Sequence, residues 1–133
     1  MRGMSVLSIP IPDAVKECII ADKTQKAFAT YGDRGLNVVP VSTLFVVEDT
    51  IWLFDYFFEK TKENIVSSSA VSLVAWSGLV GYQIKANVKY VTSGDDFQKA
   101  QQIIAQQHPT RTVKGLVILT PQEIYPVSID TKV

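Results

Sequence analysis

Apolar and polar positions alternate with period two along much of the chain, and short stretches of helical period interrupt them. The cleanest alternation runs from Tyr82 to Thr92. Ile84, Ala86, Val88 and Tyr90 fall on one face and Lys85, Asn87 and Lys89 on the other, the pattern of a half-exposed strand with its lysines in solvent. Lys26 to Tyr31 reads as a strand, and Gly32-Asp-Arg-Gly35 as a turn. Leu36 to Val47 reads as one long strand, apolar at alternate positions on both faces, so cover on both sides is expected. Pro40 inside it marks an edge or a bulge. Glu48 to Thr50 turns the chain into a third strand, Ile51 to Tyr56, which completes a meander. Further strands are expected over 70–76, 113–119 and 123–127.

Three segments carry the helical period. Pro12 suits a helix start, where its missing N–H costs nothing, and Ile11, Val15, Cys18 and Ile19 follow at helical spacing. Cys18 therefore belongs to a packing stripe. Lys60 to Val66 reads as a short polar helix. Phe97, Ala100, Ile103, Ile104 and Gln107 mark a third, with Ser93-Gly-Asp95 as its cap. The order of elements lacks regular strand–helix alternation. That excludes a doubly wound sheet and favours a closed antiparallel barrel with helices outside. No repeat, linker, Rossmann fingerprint or P-loop interrupts residues 1–133, which make a single domain.

Composition supports the β reading, with 17 Val and 12 Ile against 8 Leu. One Cys and one His exclude a disulfide framework and a structural zinc site. No metal is expected, and a lone Cys fits a reducing compartment. Any imidazole chemistry would have to use His108, which sits before Pro109 in an expected solvated loop. Thirteen Lys plus Arg balance thirteen Asp plus Glu. Zero net charge gives no reason to expect nucleic acid or a membrane surface as partner. No apolar run reaches the roughly 20 residues of a span, and the N-terminus lacks a signal-peptide core. The expected location is cytoplasmic.

Candidate chemistry concentrates in two places. Glu59-Lys-Thr-Lys-Glu-Asn64 opens a helix, where free N–H groups and a partial positive charge meet an ammonium and a hydroxyl. That combination suits a phosphate. Asn64 lies four residues after Lys60 and three after Thr61, on their face. The same pattern also describes an exposed charged helix that binds nothing. In Val39-Pro-Val-Ser-Thr43, two hydroxyls interrupt an apolar strand. They either bond to neighbouring backbone or line a ligand cleft. Trp52, Phe54, Tyr56, Phe57 and Trp76 are candidates to flank a flat ring or to fill the core.

From about Val15 to Val127 the chain resembles the FMN-binding split-barrel superfamily, the pyridoxamine 5′-phosphate oxidase-like proteins. It is most similar to the group containing small FMN-binding proteins of about this length. Three segments carry the resemblance: AFATYGDRGLNVVPVSTLFVVEDTIWLF, then KTKEN, then GYQIKANVKYVTSGDDFQKA followed by KGLVILTPQEIY. The resemblance implies a mainly β fold, a six-stranded antiparallel Greek-key split β-barrel with flanking short helices. It also implies a homodimer with FMN at the subunit interface, the outer apolar face of 36–47 making the dimer contact.

By the same resemblance, Lys60 and Thr61 match the positions that bind the FMN phosphate, and Asn64 matches the Asn that often follows them. Val41, Ser42 and Thr43 match a strand that meets the ring and ribityl chain. Phe54, Asp55 and Tyr56 match its neighbour, and Gln83 a glutamine that reaches the flavin from a later strand. The implied protein is an FMN-dependent oxidoreductase, with NAD(P)H or another electron donor as partner. The rivals are an F420-dependent reductase, a flavin-binding electron-transfer module, and a barrel dimer without cofactor. No side chain stands out as catalytic. The oxidases' C-terminal Arg-rich motif with a His is missing, Arg111 being the last Arg, and Lys-Thr replaces Arg-Lys. Vitamin B6 oxidation is therefore not expected.

Overall fold

In the computed structural model, which describes residues 8–68 and 70–127, the period-two segments form one antiparallel sheet. The N-terminal residues, read as lacking a signal segment, and the last six, read as lacking the oxidase motif, lie largely outside the described residues. The elements are α1 (Asp13–Ile20), β1 (Gln25–Gly32), β2 (Gly35–Pro40), β3 (Leu44–Val47), β4 (Thr50–Asp55), α2 (Lys60–Ser67), β5 (Ala70–Ser77), β6 (Val80–Val91), α3 (Asp95–Gln107) and β7 (Gly115–Pro126). The strand order is β2-β1-β5-β6-β7-β4-β3. This mainly β arrangement with three helices is consistent with a split barrel.

Several expectations are corrected. The sheet has seven strands rather than six, and it does not close into a barrel. The expected strand 36–47 is two strands on opposite edges: β2 pairs with β1, and β3 pairs with β4. One straight strand cannot occupy both edges, so the chain leaves the ladder at Val41–Thr43, just after Pro40, which offers no N–H. Conversely, the two strands expected at the C-terminus are one. Pro121 sits opposite Ala86, next to a register shift between Lys85 and Ala86. That irregularity accommodates the missing donor without ending the strand. The cap of α3 also differs: Gly94 occupies the N-cap, and no side chain caps it.

The unbroken apolar run of β4 is explained by burial on both faces. Ile51 and Leu53 join Phe28, Leu73, Ile84 and the α1 residues Val15 and Ile19 in the main core. Trp52 and Phe54 join Leu116 in a second core, covered by Ala100 and Ile104 of α3. Burying each such side chain contributes about 1.5–3 kcal/mol. Strand β2 is different. Its outward residues Leu36 and Val38 are 86% and 65% exposed, and Tyr31 beside them on β1 is 62% exposed. Expected cover on this face is not supplied by the chain itself.

Helix α2 is held against the β1–β2 end of the sheet by close approach at Gly32. A Cβ there would lie 2.3 Å from Ser67 Oγ and 2.9 Å from Asn64 Cα. Buried Asn64 then clamps the turn: its Nδ2 donates to Thr30 Oγ1 (3.1 Å) and to Gly35 O (2.8 Å), and its Oδ1 accepts from Arg34 N (2.8 Å). This clamp sets where the first turn of α2 stands relative to β2.

Candidate functional site

A cleft of about 710 Å³ opens where the sheet is split. Its walls are β2, the 41–43 connection, the end of β4, the start of α2 and the 111–114 loop. The volume is in the ordinary range for small-molecule sites. Val41, Ser42 and Thr43 line it from one side, and Phe54, Tyr56, Lys60 and Thr61 from the other. The two hydroxyls of 42 and 43 thus lie in a connection rather than inside a covered strand. Phe57, 80% exposed, stands at its border. Of the other aromatics considered, Trp52 is core beneath α3, and Trp76 lines a separate, shallower groove.

Thr61 is buried, and its Oγ1 accepts a 2.8 Å hydrogen bond from Asn37 Nδ2. The hydroxyl keeps its own proton to donate. Glu59, the N-cap of α2, makes no side-chain cap bond, so the first N–H groups of the helix are not satisfied by it. Lys60 is exposed at this helix start. Arg111 and Lys114 bring two further cations to the cleft, against Glu59 as the one carboxylate in its walls. Among the described residues none of the three cations is in an ion pair; the pairs formed are Lys16–Asp49 and Arg34–Glu63. The neutral chain therefore carries a locally positive cleft.

Asp55, Asn64 and Gln83 do not line the cleft. Asn64 is turned onto the β1–β2 turn, as described above. Gln83 lies on the outer face of β6 and donates to Ser72 Oγ at 3.1 Å. Asp55 is buried and holds the cleft's framework. Its Oδ1 accepts from Phe58 N (2.6 Å), its Oδ2 from the Tyr90 hydroxyl (2.5 Å), and its carbonyl from Lys114 N (2.7 Å). One residue thus fixes the 56–58 corner, the 111–114 loop and β6 relative to each other. Gly115 is required beside it, because a Cβ would meet the Tyr90 ring at 2.2 Å.

Burial, reinforced by the Asp55 carboxylate, pushes the Tyr90 hydroxyl above the ordinary phenol range. A raised pKa in the fold stabilises it fully below the unfolded value of about 10, and this contribution is lost as pH rises beyond it. Tyr90→Phe is therefore expected to lower stability at pH 7 by about 1–3 kcal/mol, leaving a buried carboxylate short of a donor. The variant should also lose part of the native protein's decline in stability above pH 10, which urea melts at pH 7 and 11 compare. An unchanged midpoint at pH 7 would remove Asp55–Tyr90 from the framework.

Asn37, Arg111 and Lys114 are cleft residues that spacing did not single out. Asn37 carries a signal in hindsight, as a polar residue at an inward position of β2. Arg111 and Lys114 carry none, since they reach the cleft only through the fold of the α3–β7 loop. His108, half-buried at the end of α3, and Cys18, packed against the main core, are not in the cleft walls. Burial raises the Cys18 thiol pKa, which disfavours the thiolate. Among the described residues no group of three or more His, Cys, Asp or Glu could hold a metal, and no helix is long and apolar enough to cross a membrane. The cleft offers an anion-binding corner and an aromatic-flanked recess, with no nucleophile–base pair.

No curated protein sequence matches the chain. Several solved structures share its fold. HupZ of Group A Streptococcus matches with a TM-score of 0.80 at 20% identity, over 90% of this chain and 95% of that one. An FMN-binding protein from Syntrophomonas wolfei subsp. wolfei matches at 0.73 and 16%, over 86% and 84%. HutZ, the heme storage protein of Vibrio cholerae, matches at 0.68 and 13%, over 88% and 94%. Likeness at these identities establishes the fold alone. The sequence itself matches the family described as pyridoxamine 5′-phosphate oxidase over residues 11–128. Running from the entry to α1 past the end of β7, that match makes the chain a member of the pyridoxamine 5′-phosphate oxidase family.

Proposed function

We propose that the cleft binds FMN and that the protein is a cytoplasmic, homodimeric FMN-dependent oxidoreductase. The observation that carries this is the placement of Lys60 and Thr61 at the start of α2, on the wall of an aromatic-flanked cleft. A phosphomonoester bears about −1.5 to −2 charges at neutral pH. An ammonium, a hydroxyl with a free proton and the first N–H groups of a helix are the complement it needs. Val41–Thr43, Phe54 and Tyr56 then stand where the ring and ribityl chain are held. Bound FMN supplies hydride or electron chemistry at its ring, and the protein supplies orientation and charge.

The similar fold of an FMN-binding protein supports this reading. The similar fold of a heme storage protein does not weigh equally, because heme iron takes a His, Cys, Met or Tyr ligand. Of these the cleft walls hold only Tyr56. The purified protein is expected to take up FMN in preference to heme and F420 when each is offered separately and free ligand is removed. Uptake of heme or F420 with no FMN retained would overturn the assignment.

The dimer reading rests on the exposed apolar face of β2 and β1, where Tyr31, Leu36 and Val38 meet solvent. Large contiguous apolar surface of this kind marks a protein contact. Gln83 projects on this outer side of the sheet, so in such a dimer it serves the interface rather than its own chain's cleft. Val38→Glu is expected to convert a two-chain species into single chains in sedimentation equilibrium. A native protein that sediments as one chain contradicts the dimer.

A further inference from the structure

Beside Lys60 and Thr61, the cleft carries a second set of polar groups, brought by the 111–114 loop and Tyr56. Asn37 ties Thr61 to β2. The 111–114 loop is tied instead to the β7 side of β4: Lys114 N donates to Asp55 O, and Gly115 pairs with Asp55. The residues of the 56–59 corner run between the two places. At the second place the Arg111 guanidinium lies over the Tyr56 ring, 5.1 Å from its centroid. The Tyr56 hydroxyl is buried without a hydrogen-bond partner, and among the described residues it is the one side-chain atom in that condition. A buried hydroxyl left unpaired is costly, and such exceptions in a cleft wall point to a missing partner.

Resting on the flavin reading of the same cleft, we propose that Arg111, Lys114 and the Tyr56 hydroxyl form a second oxyanion-binding pole. It holds the carboxylate or phosphate of the molecule that shares the cleft with the flavin. The planar guanidinium presents paired donors that match either group, and stacking on Tyr56 orients that fork. Lys114, exposed at the cleft, adds an ammonium, and the phenolic O–H adds a donor already stripped of water. The co-ligand of this protein is thus an anion, recognised by the 111–114 loop and Tyr56.

Two probes separate the sources of the oxyanion: benzoate for carboxylates and phenyl phosphate for phosphates. Each is titrated into FMN-saturated protein, read by the flavin absorbance, and into protein without FMN, read by calorimetry. One probe is expected to saturate, and Arg111→Gln should weaken it about tenfold or more, the size of a charge-assisted hydrogen bond. FMN and riboflavin affinities should stay as in the native protein. Tyr56→Phe should weaken the same probe while leaving the melting temperature equal or higher, because no hydrogen bond of the free protein is lost. A merely structural hydroxyl would give the reverse pair of results.

Failure of both probes to saturate the native protein overturns the pole. So does an Arg111→Gln variant that loses FMN affinity as Lys60→Ala does while riboflavin binding is spared, since Arg111 would then belong to the flavin phosphate. If FMN does not bind but a probe still does, in an Arg111-dependent way, the pole stands and the flavin reading falls.

Discussion

Asn64→Ala should lower the free energy of unfolding by about 3 kcal/mol, one of the largest effects of any single polar substitution in this fold. Asn64 is fully buried and serves three partners: Arg34 N, Gly35 O and Thr30 Oγ1. Truncation leaves these groups in a site too enclosed for easy hydration, and each unsatisfied buried group costs about 1–3 kcal/mol. Asn64→Asp keeps the acceptor for Arg34 N but loses both donated bonds and adds a buried charge, so it should be no better tolerated. Urea unfolding of the two variants checks this, with a midpoint equal to the native one as the contrary outcome. Weaker flavin binding should accompany the loss, because the same clamp places α2 against β2 and so brings Thr61 to Asn37.

The second large effect is on binding. Lys60→Ala should weaken FMN by about 10- to 150-fold, the equivalent of about 1.5–3 kcal/mol for a hydrogen bond to a charged group. Lys60 is exposed and has no ion pair among the described residues, so its removal should leave the fold intact. Riboflavin, which lacks the phosphate, should bind the variant and the native protein alike. Equal loss of both ligands would mean that Lys60 acts on the ring or on the shape of the cleft. Raising the salt concentration should shrink the difference, since the contact is at the surface.

Much of this fold can be read from period alone. The alternation of β6, the stripe of α1 and the extent of α2 follow from side-chain spacing, because each element buries one face against a single core. Where one segment meets two surroundings, period fails. Leu36 to Val47 looks uniform, yet its halves pair with opposite edges of the sheet, and only tertiary pairing decides where it breaks. Pro121 looks like a strand end but is absorbed at a register shift. The site divides in the same way. Spacing correctly puts Thr61 and Asn64 on one helix face. It cannot tell that this face meets the β1–β2 turn, which leaves Thr61 at the cleft and takes Asn64 away from it. Asp55, which the resemblance puts beside the ligand with Phe54 and Tyr56, gives its carboxylate to Phe58 N and to the Tyr90 hydroxyl, a partner that only the fold brings to it. Arg111 reaches Tyr56 across more than fifty residues of chain, and no local pattern encodes that contact.

If this cleft holds FMN with its phosphate on Lys60 and Thr61, removing the phosphate from the ligand must weaken binding. The most direct test is the ratio of FMN to riboflavin affinity in the purified native protein, measured by quenching of flavin fluorescence. The predicted result is saturable binding of both, with FMN tighter by about 10-fold or more, the size of one charge-assisted contact. Equal affinities, or no uptake of either flavin, would contradict it.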